Sequence, residues 1–199
     1  MVSIAVKTMN TQKRFWRCHV CNDIHFGIKP PEYCPTCGMR NAFVLCDRNE
    51  AVRLLEGIKE KNVWVCQACG DLHFGAKPLL QCSSCGSKVK YSPGDRSEAA
   101  NSFNKVDYSI ATKEDVLAAW EEFASRNSKI KVWEDRESVK QLSIGVLENM
   151  NNKGLKYCPC RVPTGDADKD MKLICPCNFL AQQTWKDYGE CWCGLFVKR

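Results

Sequence analysis

The cysteine content constrains this chain more than any other feature. The sequence has 199 residues and 15 cysteines, a number typical of disulfide scaffolds or of metal and redox sites. Its first residues, MVSIAVKTMN, lack the basic, apolar and small-residue regions of a signal peptide, and no apolar run reaches the roughly 18 residues of a membrane span. We therefore expect a cytoplasmic protein, in which cysteines serve metal or redox chemistry rather than structural disulfides.

Two segments repeat one cysteine spacing at an offset of 48 residues, FWRCHVCNDIHFGIKPPEYCPTCG and VWVCQACGDLHFGAKPLLQCSSCG. In each copy two Cys-x2-Cys pairs can meet at one ion, and a tetrahedral four-thiolate site indicates zinc or iron. Each copy is too short for a conventional core, so we expect the metal to fold it. The predicted ligands are Cys18, Cys21, Cys34 and Cys37 in the first copy and Cys66, Cys69, Cys82 and Cys85 in the second.

The segments around the copies suggest a division into domains. Residues 47–62 have apolar residues at near-helical spacing, which predicts a short amphipathic helix or an ordered connector. The stretch YSPGDRSEAANSFNK is rich in Ser, Asn, Gly and Pro and predicts a flexible linker. We predict modules at 12–48 and 60–92, a linker at 93–106 and a further domain at 107–199.

Helical patterns begin after the predicted linker. Thr112 is a candidate N-cap, and Val116, Trp120 and Phe123 follow it on one apolar face. A second apolar stripe ends at Gly154, which is a common C-terminal stop of a helix. The pattern predicts two helices whose apolar faces lie in a core.

The last six cysteines form three Cys-x-Cys pairs between residues 158 and 193. Six thiols exceed the needs of one metal site. Four would satisfy a 4Fe-4S cluster and leave two, the number expected for a cluster beside a reducible disulfide.

The repeated segments resemble the rubredoxin domains at the end of rubrerythrins, which hold one iron and pass one electron. The resemblance rests on the Trp, the cysteine pairs and the HFG-x-KP core of each copy. It implies two small metal-folded rubredoxin-like β knuckle modules, each with a mononuclear iron or zinc ion. Four cysteines fill each site, so we expect His25 and His73 to form structural hydrogen bonds and Trp16 and Trp64 to cover the sites.

Residues 107–199 resemble the catalytic subunit of ferredoxin:thioredoxin reductase. The resemblance rests on KYCPCR, ICPCN and YGECWCGLFV and on the preceding helices. It implies a mainly α-helical iron-sulfur domain, in which Cys160 and Cys193 form the active disulfide. Cys160 would be the exposed thiol that attacks substrate, and Cys193 would face the cluster. The implied ligands of the 4Fe-4S cluster are Cys158, Cys175, Cys177 and Cys191.

Together the resemblances imply an iron-sulfur disulfide reductase that takes single electrons from ferredoxin or a similar protein donor. Its implied substrate is a thioredoxin-like protein or a small disulfide. Trp192 stands where the family has a His, so the role of that His is missing or moved. We expect neither a nucleic-acid nor a membrane partner, because the net charge of +6 lies wholly before residue 107 and metal-bound thiolates offset it. The alternatives are a multi-zinc protein that contacts nucleic acid or protein, and an electron carrier or redox sensor without turnover.

Overall fold

The structure is a computed structural model that describes residues 12–88 and 90–199. The segment MVSIAVKTMN, where no signal peptide is expected, lies outside the described residues. Within them, no helix is both long and apolar enough to cross a membrane.

Six antiparallel strands form one sheet in the N-terminal part, in the order β3-β1-β2-β5-β4-β6. Its two three-stranded halves are related by the 48-residue offset. They join where β2 pairs with β5, so that His25 lies opposite His73. The strands are β1 (Arg14–Cys18), β2 (Ile24–Gly27), β3 (Phe43–Cys46), β4 (Asn62–Cys66), β5 (Leu72–Gly75) and β6 (Tyr91–Gly94).

Each half of the sheet is followed by a helix. Helix α1 (Arg48–Gly57) is the helix predicted between the copies, and Asp47 caps it by accepting a hydrogen bond from the Glu50 amide. Helix α2 (Arg96–Asn104) follows the second half at the same offset.

The predicted flexible linker at 93–106 is wrong, because α2 occupies most of it. Asp95 caps this helix by accepting from the amides of Ser97 and Glu98. Phe103 is 1% exposed and packs edge-on against Phe15, so the segment is tied to the core. The polar composition of this segment suggested a linker, but the sequence also contains a sign of the helix. The pattern Asp-Arg-x-Glu-Ala that begins α1 recurs 48 residues later.

The C-terminal part combines helices with a small antiparallel sheet. Thr112 and Asp115 form a capping box at the start of its first helix, and Gly154 ends the second with a φ of 80°. Both predicted helices are therefore confirmed. The elements are α3 (Lys113–Ser125), β7 (Ile130–Val132), α4 (Arg136–Lys153), α5 (Ala167–Asp170), α6 (Gln183–Asp187) and β8 (Phe196–Lys198).

The N-terminal sheet and the C-terminal part share buried surfaces. Val44 of β3 belongs to the same apolar cluster as Phe123, Phe179 and Phe196. Leu155 joins the apolar cluster that the two halves of the sheet share. A buried group of charges, Arg17, Asp47, Glu50 and Lys156, also spans the junction. The two parts are therefore packed against each other through both apolar and ionic contacts.

Candidate metal centres and thiol site

The first four predicted ligands are brought together at one end of the sheet. All four Sγ atoms lie within 4.8 Å of one another, with Cys18 and Cys37 3.7 Å apart and Cys21 and Cys34 3.6 Å apart. Backbone turns close each pair: the Asn22 amide donates to the Cys18 carbonyl, and the Gly38 amide to that of Cys34. Four converging thiols suit a tetrahedral zinc or iron ion.

The second group of four repeats this arrangement. Its Sγ atoms also lie within 4.8 Å of one another, and Gly70 and Gly86 close the two turns through the carbonyls of Cys66 and Cys82. Cys85 is exposed, whereas its counterpart Cys37 is half-buried. The second group is therefore the more open of the two.

Residues of each copy complete the ligand loops of the other. Lys61 lies 2.9 Å from Asp23 and donates to the Cys21 carbonyl. Its counterpart Lys13 lies 3.0 Å from Asp71 and donates to the Cys69 carbonyl. The hydroxyls of Thr36 and Ser84, at equivalent positions, accept from the amides of Ala76 and Ile28 across the same junction. The two copies therefore form one symmetric unit in which each braces the other.

The tryptophans and His25 form hydrogen bonds within the two copies, whereas the buried His73 has its Nε2 3.5 Å from the Asp23 carboxylate and forms no hydrogen bond among the described residues. Trp16 donates from Nε1 to the Gly27 carbonyl at 3.1 Å, and Trp64 does the same to Gly75 at 3.0 Å. His25 Nε2 is 3.0 Å from the Ser83 hydroxyl. Neither His25 nor His73 belongs to the groups of close ligand atoms among the described residues.

The six cysteines of the three Cys-x-Cys pairs lie in the segments between α4 and β8. Cys158 follows the turn that ends α4, and its amide donates to the Leu173 carbonyl. Cys191 precedes β8, and its amide donates to the Phe196 carbonyl. The predicted cluster ligands Cys158, Cys175, Cys177 and Cys191 are all buried.

These four buried thiols influence one another electrostatically, although they are not a group whose sulfurs all lie within 4.8 Å of one another. Burial and the nearby thiols of Cys158, Cys177 and Cys191 raise the pKa of Cys175 well above its usual value. Gln182 donates from Nε2 to the Cys177 sulfur at 3.0 Å, and the Phe196 amide donates to the Cys191 sulfur at 3.3 Å. Buried thiolates require a compensating cation, and hydrogen bonds to sulfur are typical around iron-sulfur clusters. The donor set therefore fits a 4Fe-4S cluster.

The predicted active thiols lie at the edge of this buried group. Cys160 is exposed and Cys193 half-buried. Their Sγ atoms and that of Cys158 lie within 4.8 Å of one another. Cys193 also lies 3.6 Å from Cys191. The accessible thiol of Cys160 therefore lies beside the thiol of Cys193, which in turn contacts the buried Cys191.

Trp192 occupies a fixed position beside these thiols. Its amide donates to Gln182 Oε1 at 2.9 Å, and the Arg161 guanidinium lies over its ring at 4.3 Å from the centroid. Burial and the neighbouring Cys158 raise the pKa of Cys160 despite the presence of Arg161.

Three residues of the first copy contact the segment that carries Cys175 and Cys177. His19 donates from Nδ1 to the Cys177 carbonyl at 2.9 Å. Arg17 donates to the carbonyls of Ile174 and Pro176, and Asn22 to that of Met171. Sequence reasoning missed these contacts. The sequence held only a weak signal, since positions 17, 19 and 22 differ from 65, 67 and 70, but so do several other aligned positions of the two copies.

Comparison with known families agrees with this arrangement. Residues 110–199 match the family described as ferredoxin thioredoxin reductase catalytic beta chain. Residues 16–43 match the rubredoxin-like domain of rubrerythrin. The predicted combination of a reductase catalytic-like domain with an N-terminal rubredoxin-like domain is therefore confirmed, and the rubredoxin-like match covers the first of the two copies. No curated protein matches the chain.

Proposed function

Because the chain joins a catalytic domain of the ferredoxin thioredoxin reductase family to a rubredoxin-like domain, we propose a donor and a substrate for its iron-sulfur disulfide reductase chemistry. The donor is ferredoxin or a similar one-electron protein carrier. The substrate is the disulfide of a thioredoxin-like protein or of a small molecule. The cytoplasm, whose thiols are kept reduced, is the compartment that suits it.

The observation that carries this proposal is the position of Cys160. Its thiol is exposed, yet it lies within 4.8 Å of both Cys193 and the buried Cys158. Thiol-disulfide exchange needs an accessible attacking thiol and a second thiol close enough to resolve the mixed disulfide. Cys160 and Cys193 meet both needs.

The chain's own thiols would perform the exchange in two steps. The Cys160 thiolate attacks one sulfur of the substrate disulfide, and the other substrate sulfur leaves as a thiolate. Cys193 then attacks the mixed disulfide at Cys160, which releases the reduced substrate and forms the Cys160–Cys193 disulfide. Two electrons and two protons return that disulfide to two thiols. A 4Fe-4S cluster held by Cys158, Cys175, Cys177 and Cys191 would supply electrons singly beside this disulfide.

The proposal includes two rubredoxin-like modules. The second copy, residues 60–92, repeats the strands, turns and thiol group of the first, which supports a second mononuclear site. Iron at both sites would let the modules carry electrons, whereas zinc would make them structural.

Metal and sulfide analysis of anaerobically purified protein is the first test. The proposal predicts about six iron atoms and four acid-labile sulfides per chain, or four iron atoms, four sulfides and two zinc ions, from the site counts above. Zinc without sulfide would refute the reductase and favour a multi-zinc binding protein.

Turnover separates a reductase from a carrier or sensor. Reduced ferredoxin and oxidised thioredoxin are mixed with the protein, and free thiols are counted. Cys160→Ser should abolish thiol formation while the sulfide content stays that of the parent. Cys46→Ala is the matched control, because Cys46 is buried outside all three thiol groups. Loss of sulfide in Cys160→Ser would show that the ligand assignment is wrong.

A further inference from the structure

The two cysteine copies share their strand pairing and turns but differ at the residues that contact the C-terminal part. Strand pairing, turns and cross-bracing lysines recur at the 48-residue offset. The exceptions include Arg17, which corresponds to Val65, and His19, which corresponds to Gln67. These two differences lie in, and directly before, the ligand loop between the first two cysteines of each copy.

His19 makes the most direct contact of the first copy with the buried thiol group. It lies between the ligands Cys18 and Cys21 and is 3% exposed. Its Nδ1 donates to the carbonyl of Cys177, and its ring stacks on Phe179 at 5.0 Å between centroids. His19 follows the ligand Cys18 directly in the chain and donates a hydrogen bond to the Cys177 carbonyl. It therefore joins the first ligand loop to a predicted cluster ligand.

The equivalent loop of the second copy is exposed at the position that corresponds to His19. Gln67 is exposed and donates to the Ser92 hydroxyl within its own copy. Val65 lies in β4 and pairs with Leu72 and Ser92. Where the first copy has Asn22 bonded to the Met171 carbonyl, the second has Gly70, which has no side chain. The contact with the C-terminal part is thus a property of the first copy.

The second copy is instead joined to the first. Ser83, between Cys82 and Cys85, lies 3.0 Å from His25 Nε2 and donates to the Lys29 carbonyl at 2.8 Å. Together with the pairing of β2 and β5, this places the second ligand group directly beside the first half of the sheet.

We propose that the two mononuclear sites act in series, with the second as the outer site and the first coupled to the Cys175–Cys177 segment through His19. This inference rests on the proposed function and on iron at both sites. Electrons from the one-electron protein carrier, taken one at a time, pass from the outer site to the inner one and then toward the disulfide. Two of them, with two protons, convert the Cys160–Cys193 disulfide to two thiols, and two carrier molecules are oxidised. His19 is a positioning residue, because it acts through the groups that it joins.

The test follows the iron itself. Full-length, iron-loaded protein is reduced with a viologen radical, freed of excess reductant and mixed with oxidised thioredoxin in an anaerobic stopped-flow instrument. The return of the ferric tetrathiolate absorbance reports electrons leaving the two sites. His19→Ala should slow this return at least tenfold, whereas Gln67→Ala, the same position in the other copy, should change it less than twofold. Iron per chain is measured in each variant to show that the sites remain loaded.

Two substitutions separate a coupling role from a merely structural one. His19→Phe keeps an aromatic ring against Phe179 but has no donor for the Cys177 carbonyl. The ferric absorbance of this variant should therefore return slowly. His19→Gln keeps a donor and should recover part of the rate. Equal rates in His19→Ala and Gln67→Ala, with normal iron content, would overturn the coupling role of His19.

The order of the sites needs variants that retain a single mononuclear iron. Cys66→Ser should remove the outer iron, and the remaining absorbance should return as in the parent protein. Cys18→Ser should remove the inner iron. The ferric absorbance of the outer iron should then return much more slowly than in the parent protein. A parent-like return in Cys18→Ser would overturn the series order. If the parent protein showed no return, or held zinc instead of iron at these sites, the series order would be overturned, whereas the proposed function depends on the sulfide content and the turnover assay described above.

Discussion

The ammonium group of Lys61 lies 2.9 Å from the carboxylate of Asp23, across the junction between the two cysteine copies. Lys13 and Asp71 form the equivalent pair at 3.0 Å in the opposite direction. Asp23 in turn accepts from the Cys34 thiol at 3.4 Å. Each ligand loop is thus held by a charge from the other copy, which makes the two sites mutually dependent.

We expect Lys61→Ala to weaken the first metal site, although Lys61 belongs to the second copy. Removing one partner of a buried ion pair costs about 3–5 kcal/mol, and this change also removes the donor to the Cys21 carbonyl. Metal transfer to a chelator should therefore be faster from the first site than in the parent protein. Lys59→Ala, at a nearby exposed position, is the control. Identical chelation kinetics in the two variants would contradict mutual bracing.

The buried carboxylate of Glu50 makes stability depend on pH. Burial opposes its ionisation, but Lys156 and Arg17 outweigh burial and lower the pKa of Glu50. Its stabilising effect is therefore complete above the unfolded-state pKa of about 4.3 and is lost as pH falls through the lower folded-state value. Glu50→Gln should destabilise the protein by about 3 kcal/mol at pH 7.

Urea unfolding followed by tryptophan fluorescence measures this effect at several pH values. The difference between Glu50→Gln and the parent should shrink below pH 4. Glu98→Gln changes the equivalent, exposed position of the second copy and should cost less than about 0.5 kcal/mol. If Glu50→Gln and the parent protein differed by the same free energy of unfolding at pH 3 and at pH 7, this would argue against an ionised Glu50 paired with Arg17 and Lys156.

Helix α2 should resist proteolysis as part of the core. Phe103 packs against Phe15 and Phe26, so Phe103→Ala should cost about 3–5 kcal/mol and expose residues 93–106 to proteases. Asn101→Ala, on the exposed side of the same helix, should leave the fragment pattern unchanged. Rapid cleavage of the parent protein between residues 93 and 106 would contradict the packed helix and support the flexible linker predicted from the sequence.

Gln182 should influence the reduction potential of the cluster. Its amide donates to the Cys177 sulfur, and such hydrogen bonds favour the more negative, reduced state of a cluster. A net hydrogen bond of about 1 kcal/mol corresponds to roughly 40 mV in a one-electron couple. Gln182→Leu should therefore lower the midpoint potential by about that amount in a spectroscopic titration. Gln183→Leu, at the adjacent exposed residue, should leave it unchanged; a rise in Gln182→Leu would contradict the donor role.

The outer cysteine copy presents a basic surface. Lys77, Lys88 and Lys90 are exposed, and residues 72–94 contain no Asp or Glu. If an acidic carrier delivers electrons there, Lys88→Glu with Lys90→Glu should raise its KM several-fold at low salt. Near 1 M salt, where the Debye length is about 3 Å, the effect should disappear. Lys129→Glu with Lys153→Glu makes the same charge change on the C-terminal part, and an equal rise in KM there would refute a specific surface.

Local patterns in the sequence predicted much of this structure. The 48-residue repeat predicted two four-thiol groups, and each is found as a cluster of close sulfurs. Thr112 and Gly154 predicted the ends of helices, because capping depends on residues adjacent in sequence. The same local reasoning failed at α2, where a polar composition concealed one anchoring residue, Phe103.

The sequence by itself determined which thiols could act together, because chelating loops and Cys-x-Cys pairs bring ligands into range through a few backbone bonds. Only the tertiary structure decided which cysteine copy contacts the segment that carries Cys175 and Cys177. That choice depends on Arg17, His19 and Asn22 reaching carbonyl groups of residues 171–177. A sequence does not show which backbone carbonyls will accept hydrogen bonds from side chains. Contacts between residues some 150 positions apart depend on how the whole chain packs.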